Sequence, residues 1–436
     1  MEPNKSTVPA ETSTVRQPLP EGVILVLALL VLLNYVDRGG LATAAPILQD
    51  ELAFNATQLG VLLSAFFWAY APAQFLAGWL VHRFDIRVVL AVGVALWSVA
   101  IGLTGIVGSF VSILLLRLLL GLGESVTTPG FQLIFARHTV EHERGRAVGF
   151  VTAGQGIGPM LGTLFGGLAM AQFGWRAMFI ALGLVTLLWL WPWFRVTRAR
   201  KLDAASDHGA PPVSYVEIMR RREFWGAALG HFANNYAFYF VITWLPTFLV
   251  KTAGFTVAQM AGIGAAIYAI YAATTAVAGA VSDQWIRRGA SATLVRKTFM
   301  LTAAFGTAAT IACCAYVEPR AAIWPLGAAS VFFGLSTPMI FTVGATLAGS
   351  RAAGRWAGAQ NFAGQVAGII APITTGLIVD RTGGFSWAFA VAAAAALVAM
   401  MAWGLIIRRV ATLEWTVAPA SAETHRDLRR HCHSRW

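Results

Sequence analysis

Apolar runs of roughly twenty residues, long enough to cross the hydrocarbon core of a bilayer as helices, recur along almost the whole chain between short polar connections. The pattern predicts twelve helices, near 23–47, 57–81, 88–107, 109–136, 146–171, 175–194, 223–250, 257–282, 298–316, 321–349, 354–378 and 385–407. One stretch near the middle, about 195–222 and reading VTRARKLDAASDHGAPPVSYVEIMRRR, breaks the rhythm with charge, Ala, Ser and Pro. It separates a six-helix half at 22–195 from a second at 222–409, joined by a linker at 196–221 and flanked by tails at 1–21 and 410–436. The first tail is polar and lacks a short apolar core followed by a small-residue cleavage site, so it reads as a disordered cytoplasmic segment and not a signal peptide. The fold class expected is an all-α integral membrane protein of twelve transmembrane helices in two related halves.

Composition sharpens this. At 57% hydrophobic residues, 12% charged residues and a mean hydropathy of +0.65, the chain lies outside the range of soluble domains, and a soluble enzyme is excluded. The net charge of +12 raises the question of nucleic acid, but the basic residues fall between alternate helices and form no single patch. Arg83 and Arg87; Arg137, Arg144 and Arg146; Arg195 through Lys201 with Arg220 to Arg222; Arg287, Arg288, Arg296 and Lys297; and Arg351 and Arg355 share one side. The other side carries Asp50, Glu51, Lys251 and little else, so the positive-inside rule places both termini and the linker in the cytoplasm. Cys313 and Cys314 lie in an apolar run and read as inert buried thiols, with a disulfide the lesser alternative. Cys432 among His425, His431 and His433 reads as part of a disordered tail, with metal binding the lesser alternative. No metal and no cofactor is expected.

The halves echo one another. GWLVHRFDIR at 78–87 returns as GAVSDQWIRR at 279–288, and GRAVG at 145–149 returns as GRWAG at 354–358, about 200 residues on. Two related six-helix halves that rock about a midplane site are the organisation of secondary transporters.

Four charges interrupt the apolar runs: Asp37 and Arg38 in LLVLLNYVDRGG, and Arg117 and Glu124 in LLLRLLLGLGES. An ionisable group at the centre of a span costs roughly 2.5–3.5 kcal/mol even on the mildest scales, so such groups face inward and mark function. Arg117 and Glu124, seven residues apart and nearly two turns, share one helix face. Burial and the Arg117 guanidinium act on the Glu124 carboxylate in opposite senses, an opposition that lets it titrate near physiological pH, and Glu124 is the expected proton carrier. The competing reading is a structural ion pair. Asp37 and Arg38, adjacent on a helix, point about 100° apart and need separate partners. The competing reading for Asp37 is a marker at the helix end, against which stands the apolar run from Gly22 to Leu33 before it.

Several polar residues join these charges as candidates. Tyr35 and Tyr70 fit either interfacial anchors or a binding site. Gln155 between Gly154 and Gly156, and Asn361, offer donors and acceptors to hydroxyl groups, or else hydrogen bonds between helices. His231, Asn234 and Asn235 make the seventh helix unusually polar, while most of the neighbouring aromatics Tyr236, Phe238, Tyr239, Phe240 and Trp244 read as lipid-facing.

The repeated loop after the second and eighth helices resembles the signature of the major facilitator superfamily. Within it, NYVDR at 34–38, SAFFWAYAPAQ at 64–74, RLLLGLGES at 117–125, ERGRAVG at 143–149, TWLPTFLV at 243–250 and NFAGQVAGIIAP at 361–372 resemble the anion:cation symporter family. The resemblance implies that Asp37 and Glu124 are two protonation sites. It implies that Arg38 tunes Asp37 and helps hold an anion, with Arg117 as the second charge partner, and that Tyr35, Tyr70, Gln155, His231, Asn235 and Asn361 line the substrate site. The gating loops it implies run through Gly78, His82, Arg83, Asp85 and Arg87, and through Gly279, Asp283, Arg287 and Arg288.

Two departures stand out. Sugar-acid members of the family carry glutamine where this chain has His231. In the first loop His82 stands where the second half has Asp283, and Asp85 replaces a glycine, so Asp85 with Arg83 and Arg87 is the expected substitute latch. GQGIGPMLG at 154–162 resembles a motif of drug:proton antiporters. The reading is a monomeric proton-coupled importer of an organic anion in the inner membrane, driven by the proton gradient. The anion expected is a sugar acid: galactonate, another hexonate, a hexuronate or an aldarate. The rival readings are an aromatic acid or dicarboxylate symporter, a drug or metabolite antiporter, and a transporter-like sensor.

Overall fold

The computed structural model describes residues 21–138, 150–151, 153–198 and 213–415. The N-terminal tail before residue 21, the ERGRAVG segment, most of the linker, and the tail holding Cys432 lie outside the described residues, as does the side chain of His82. The described residues form helices and no strand: α1 Glu21–Glu51, α2 Ala56–Arg83, α3 Ile86–Thr104, α4 Phe110–Glu124, α5 Thr127–His138, α6 Gly154–Leu188, α7 Leu190–Thr197, α8 Tyr215–Met219, α9 Arg222–Thr247, α10 Val257–Arg287, α11 Ala292–Cys314, α12 Ile323–Thr382 and α13 Ser386–Met401. Single π turns extend α9 and α13, at Phe248–Thr252 and Ala402–Ile406.

Ten segments of the described chain are long and apolar enough to cross a membrane. One of them, Gly154–Thr197, breaks at Gly174, whose φ of 81° lies in the left-handed region, and supplies two crossings. Helix α9, interrupted by His231, Asn234 and Asn235, falls outside the ten yet packs within the bundle, and completes the twelve. Gly349, with φ 61°, divides α12 in the same way as Gly174 divides α6. The run expected as one helix at 109–136 is two, α4 and α5, parted at Ser125 and Val126.

Helices α1, α3 and α6 pack together in the first half with α2 and α4, and α9, α11, α12 and α13 in the second. The halves meet where α2 lies on α12, α6 on α10 and α1 on α9. Exposed Leu115, Phe165 and Leu188 present the apolar belt that a bilayer requires.

The two ends of the bundle differ. At the end that holds Asp50, Glu51 and Asp380, the halves are joined. Asp380 accepts the backbone N–H groups of Ala56 (3.0 Å) and Thr57 (2.7 Å), Lys251 pairs with Asp50, and the backbones of α2 and α12 touch at Gly60 and Gly376. At the arginine-rich end the repeated loops stand apart. Gly78 and Gly279 have no heavy atom within 4 Å of where a β-carbon would sit. With this end apart, Asp85 caps α3 and bonds Arg87 within its own half, at 3.0 Å to Nε, and Arg83 is exposed. The guanidinium of Arg87 holds the Asp85 carboxyl below the usual carboxylate range. Asp283, Arg287 and Arg288 are exposed at the matching loop.

Candidate functional site

Helix α1 carries Asp37 and Arg38, and α6 fixes its position. The GQGIGPMLG motif presents Gly154, Gly158 and Gly162 at four-residue spacing, and α1 lies in the resulting groove with Leu32, Tyr35 and Val36 against it. A β-carbon at Gly158 would stand 2.6 Å from that of Tyr35, so only glycine admits α1 at this depth. The motif therefore has a packing role here.

From that position Asp37 and Arg38 diverge, as adjacent residues on a helix must. Asp37, 2% exposed, accepts the indole N–H of Trp97 on α3 at 2.7 Å, and Thr186 of α6 lies beside it. Arg38 turns the other way. Its Nε donates to Glu124 Oε2 at 3.2 Å, and its guanidinium sits 4.6 Å from the ring centres of both Tyr35 and Tyr70. Glu124 is fully buried. No ion pair joins Arg117 to Glu124, although the two share a face of α4. The Arg117 guanidinium lies over the ring of Phe66 at 5.6 Å, and Glu124 is engaged from α1 instead.

Asp37 Oδ1, Glu124 Oε1, Asn34 Nδ2 and Arg117 Nε are buried without a hydrogen-bond partner. Each such group costs roughly 1–3 kcal/mol, a cost native structures keep where the group has work to do. The cluster can accept and release protons, and it holds a cation next to them.

A cavity of 150 Å³ lies between the halves. This is below the roughly 300–1,000 Å³ of drug-sized sites and suits a small ligand. The first half contributes Tyr35, Arg38 and Gln155, and the second His231, Asn234, Asn235, Asn361 and Gln365, with Phe238, Tyr239, Tyr271 and Phe341 as aromatic walls. Among the described residues Arg38 is the only guanidinium on the cavity wall. Amide, imidazole and hydroxyl groups supply its other polar atoms, several held by cross-helix bonds: Asn235 to the carbonyl of Gly364 (3.2 Å), Tyr239 to Gln365 (2.7 Å) and Asn361 to Gln74 of the other half (3.3 Å). His231 packs edge-on against Phe341, and its Nδ1 is buried without a partner.

The structure thus brings Tyr35, Arg38, Gln155, His231, Asn235 and Asn361 to one cavity. It places Asp37, Glu124 and Arg117 behind that cavity wall, and Tyr70 beneath Arg38, stacked on Phe66 at 4.9 Å. The aromatics read as lipid-facing are corrected: Tyr236, Tyr239, Phe240 and Trp244 are buried, and Phe238 lines the cavity. Trp97, Gln74, Tyr271 and Gln365 were not singled out by sequence. A tryptophan deep in a span instead of at its end, and a glutamine in each of two motif runs, were the available signals.

Twelve crossings among the described residues, in two halves around a polar cavity, are the organisation of secondary transporters. The chain belongs to the Major Facilitator Superfamily, whose family model matches residues 27–372. It is 30% identical over 386 residues to a hexuronate transporter of Bacillus subtilis, covering 86% of this chain and 92% of that one. It is likewise 30% identical over 433 residues to a probable L-galactonate transporter of Escherichia coli, covering 91% and 95%. Its fold is similar to a bacterial homologue of the human lysosomal transporter Spinster, in an inward-facing and occupied conformation. That match has a TM-score of 0.74 at 19% identity and covers 92% of this chain and 100% of that chain.

Proposed function

We propose that the protein imports an organic anion together with protons, and that the anion is a sugar acid of the hexonate, hexuronate or aldarate class. The relatives named for hexuronate and L-galactonate support the substrate class. One observation carries the coupling: Arg38 both faces the cavity and holds Glu124 at 3.2 Å. A substrate carboxylate and the Glu124 carboxylate compete for one guanidinium. Protonation of Glu124 frees Arg38 for the anion, and by linkage a bound anion favours protonation of Glu124. Asp37, held by Trp97, is the second proton site. The amides on the far wall meet the hydroxyl groups of the acid.

In this reading the arginine-rich end faces the cytoplasm across the inner membrane, and the end sealed by Asp380 faces outward. Protons enter with the membrane potential and the pH difference and drive uptake by the single chain without any cofactor. The aromatic walls favour an aromatic acid as the second substrate class.

The test is uptake into proteoliposomes of a panel of sugar acids and aromatic acids, with an internal pH indicator, for the native chain and Glu124→Gln. Native protein should accumulate a sugar acid with co-transported protons. Glu124→Gln should exchange substrate without accumulating it. Concentrative, pH-driven uptake by Glu124→Gln would remove Glu124 from the coupling, and accumulation of aromatic acids alone would move the substrate class.

A further inference from the structure

At the arginine-rich end of the first half, a recess of 940 Å³ opens between the start of α3 and α7. Its wall holds Asp85, Arg87, Arg195 and Arg198 beside the rings of Trp191 and Phe194. Three guanidiniums against one carboxylate leave two positive charges. The carboxylate is already engaged, because Asp85 accepts from Arg87 at 3.0 Å and also caps α3. Arg195 and Arg198 are exposed, and neither makes an ion pair among the described residues; Arg195 lies over the ring of Trp191 at 5.3 Å. The recess is built and not incidental, since the Trp193 indole of α7 donates to the Arg87 carbonyl at 3.0 Å and ties the two walls together.

A second feature begins where the first ends. A trough of 330 Å³ runs along the lipid-facing surface of α2 and α3, and Val88 lines both it and the recess. Val88, Val92 and Leu96 follow one another at four-residue spacing down α3, and Leu76, Leu80 and Phe84 face them from α2. These side chains are carbon throughout. A cationic recess at the helix ends thus continues into an apolar channel that descends into the bilayer.

We propose that this composite site binds an anionic phospholipid of the adjoining leaflet, with its phosphate on Arg195 and Arg198 and an acyl chain in the trough. Basic recesses between transmembrane helices at the positive end of a bundle suit such headgroups, and each Lys or Arg near an anionic surface adds to the attraction. A soluble anion would use the cations but leave the trough without a role. A zwitterionic lipid would fill the trough but meet the two charges with no net charge of its own. The site lies within one half, away from the central cavity, so it is independent of the substrate reading above.

The experiment measures binding to the purified full-length chain by native mass spectrometry, with thermal unfolding in parallel. The probes are phosphatidylglycerol, phosphatidylcholine with the same acyl chains, and sn-glycerol 3-phosphate. Phosphatidylglycerol should bind and stabilise more than phosphatidylcholine. The exposed double substitution Arg195→Gln with Arg198→Gln should weaken phosphatidylglycerol about thirtyfold. Val92→Trp, which fills the trough without touching the cations, should weaken both lipids. The assignment is overturned if phosphatidylglycerol shows no preference over phosphatidylcholine, or if the double variant keeps the wild-type preference. It is also overturned if sn-glycerol 3-phosphate binds as well as the lipid, which would make the recess a site for soluble anions.

Discussion

The carboxylate of Asp380 holds the backbone N–H of Thr57 at 2.7 Å, so a side chain of the second half terminates a helix of the first. Helix α2 is capped twice. Asn55 and Gln58 form a reciprocal capping box, and Asp380 takes the next two N–H groups with its negative charge at the positive end of the helix dipole.

Asp380→Ala should therefore loosen this end. Discounted for its exposure, the cap is worth about 1 kcal/mol, or roughly a fivefold shift between closed and open populations. In a cysteine-free background carrying Asn235→Cys, a membrane-impermeant thiol reagent applied from the Asp380 side should label several times faster in the variant. Equal rates would show that the cap does not hold the gate.

Arg38→Lys keeps the charge but loses the planar fork that lies between Tyr35 and Tyr70 while bonding Glu124. The KM for the transported acid should rise on the order of tenfold, about 1.4 kcal/mol. Initial-rate uptake measures this, and an unchanged KM would mean that the geometry of the guanidinium is immaterial.

Trp97→Phe preserves an aromatic ring in the core and deletes the one donor seen on Asp37 Oδ2. The pH profile of uptake should be displaced by about one unit, the change expected when a carboxylate loses a hydrogen bond worth roughly 1–1.5 kcal/mol, with KM at the plateau unchanged. A purely structural tryptophan would lower expression or Tm and leave the profile in place.

Gly364→Ala would put a β-carbon 2.7 Å from the His231 ring and push that ring toward the cavity. Overpacking of this kind costs about 1–3 kcal/mol. Substrate affinity should fall about tenfold, and adding His231→Ala should restore most of it. A double variant no better than Gly364→Ala would place the damage elsewhere on α12.

The crossings were legible because bilayer thickness imposes a length on every helix, and even α9 kept that length while carrying Asn234, Asn235 and His231. The divergence of Asp37 from Arg38 was legible for a similar reason: adjacent helical residues cannot face one partner. Helical spacing gave the shared face of Arg117 and Glu124 but could not say which cation would reach the carboxylate. That partner comes from 86 positions away on another helix, and only the groove that seats α1 on α6 decides it. Trp97 was hidden because indole is apolar to any pattern of hydrophobicity, and its single N–H matters only once Asp37 stands opposite. The break after Glu124 carries no proline at the break itself, and Pro129 lies inside α5.

Where α2 crosses α12, Gly60 lies against the backbone of Pro372 and Gly376 against the backbone of Ala56, so here the two halves touch main chain to main chain. The glycine contact itself has no rotamers to rearrange, unlike the Lys251–Asp50 pair and the Asp380 cap beside it. It can be whole or broken, with little between. A door of that construction parts first at the bare backbone, and the side chains of Lys251 and Asp380 are the last to let go.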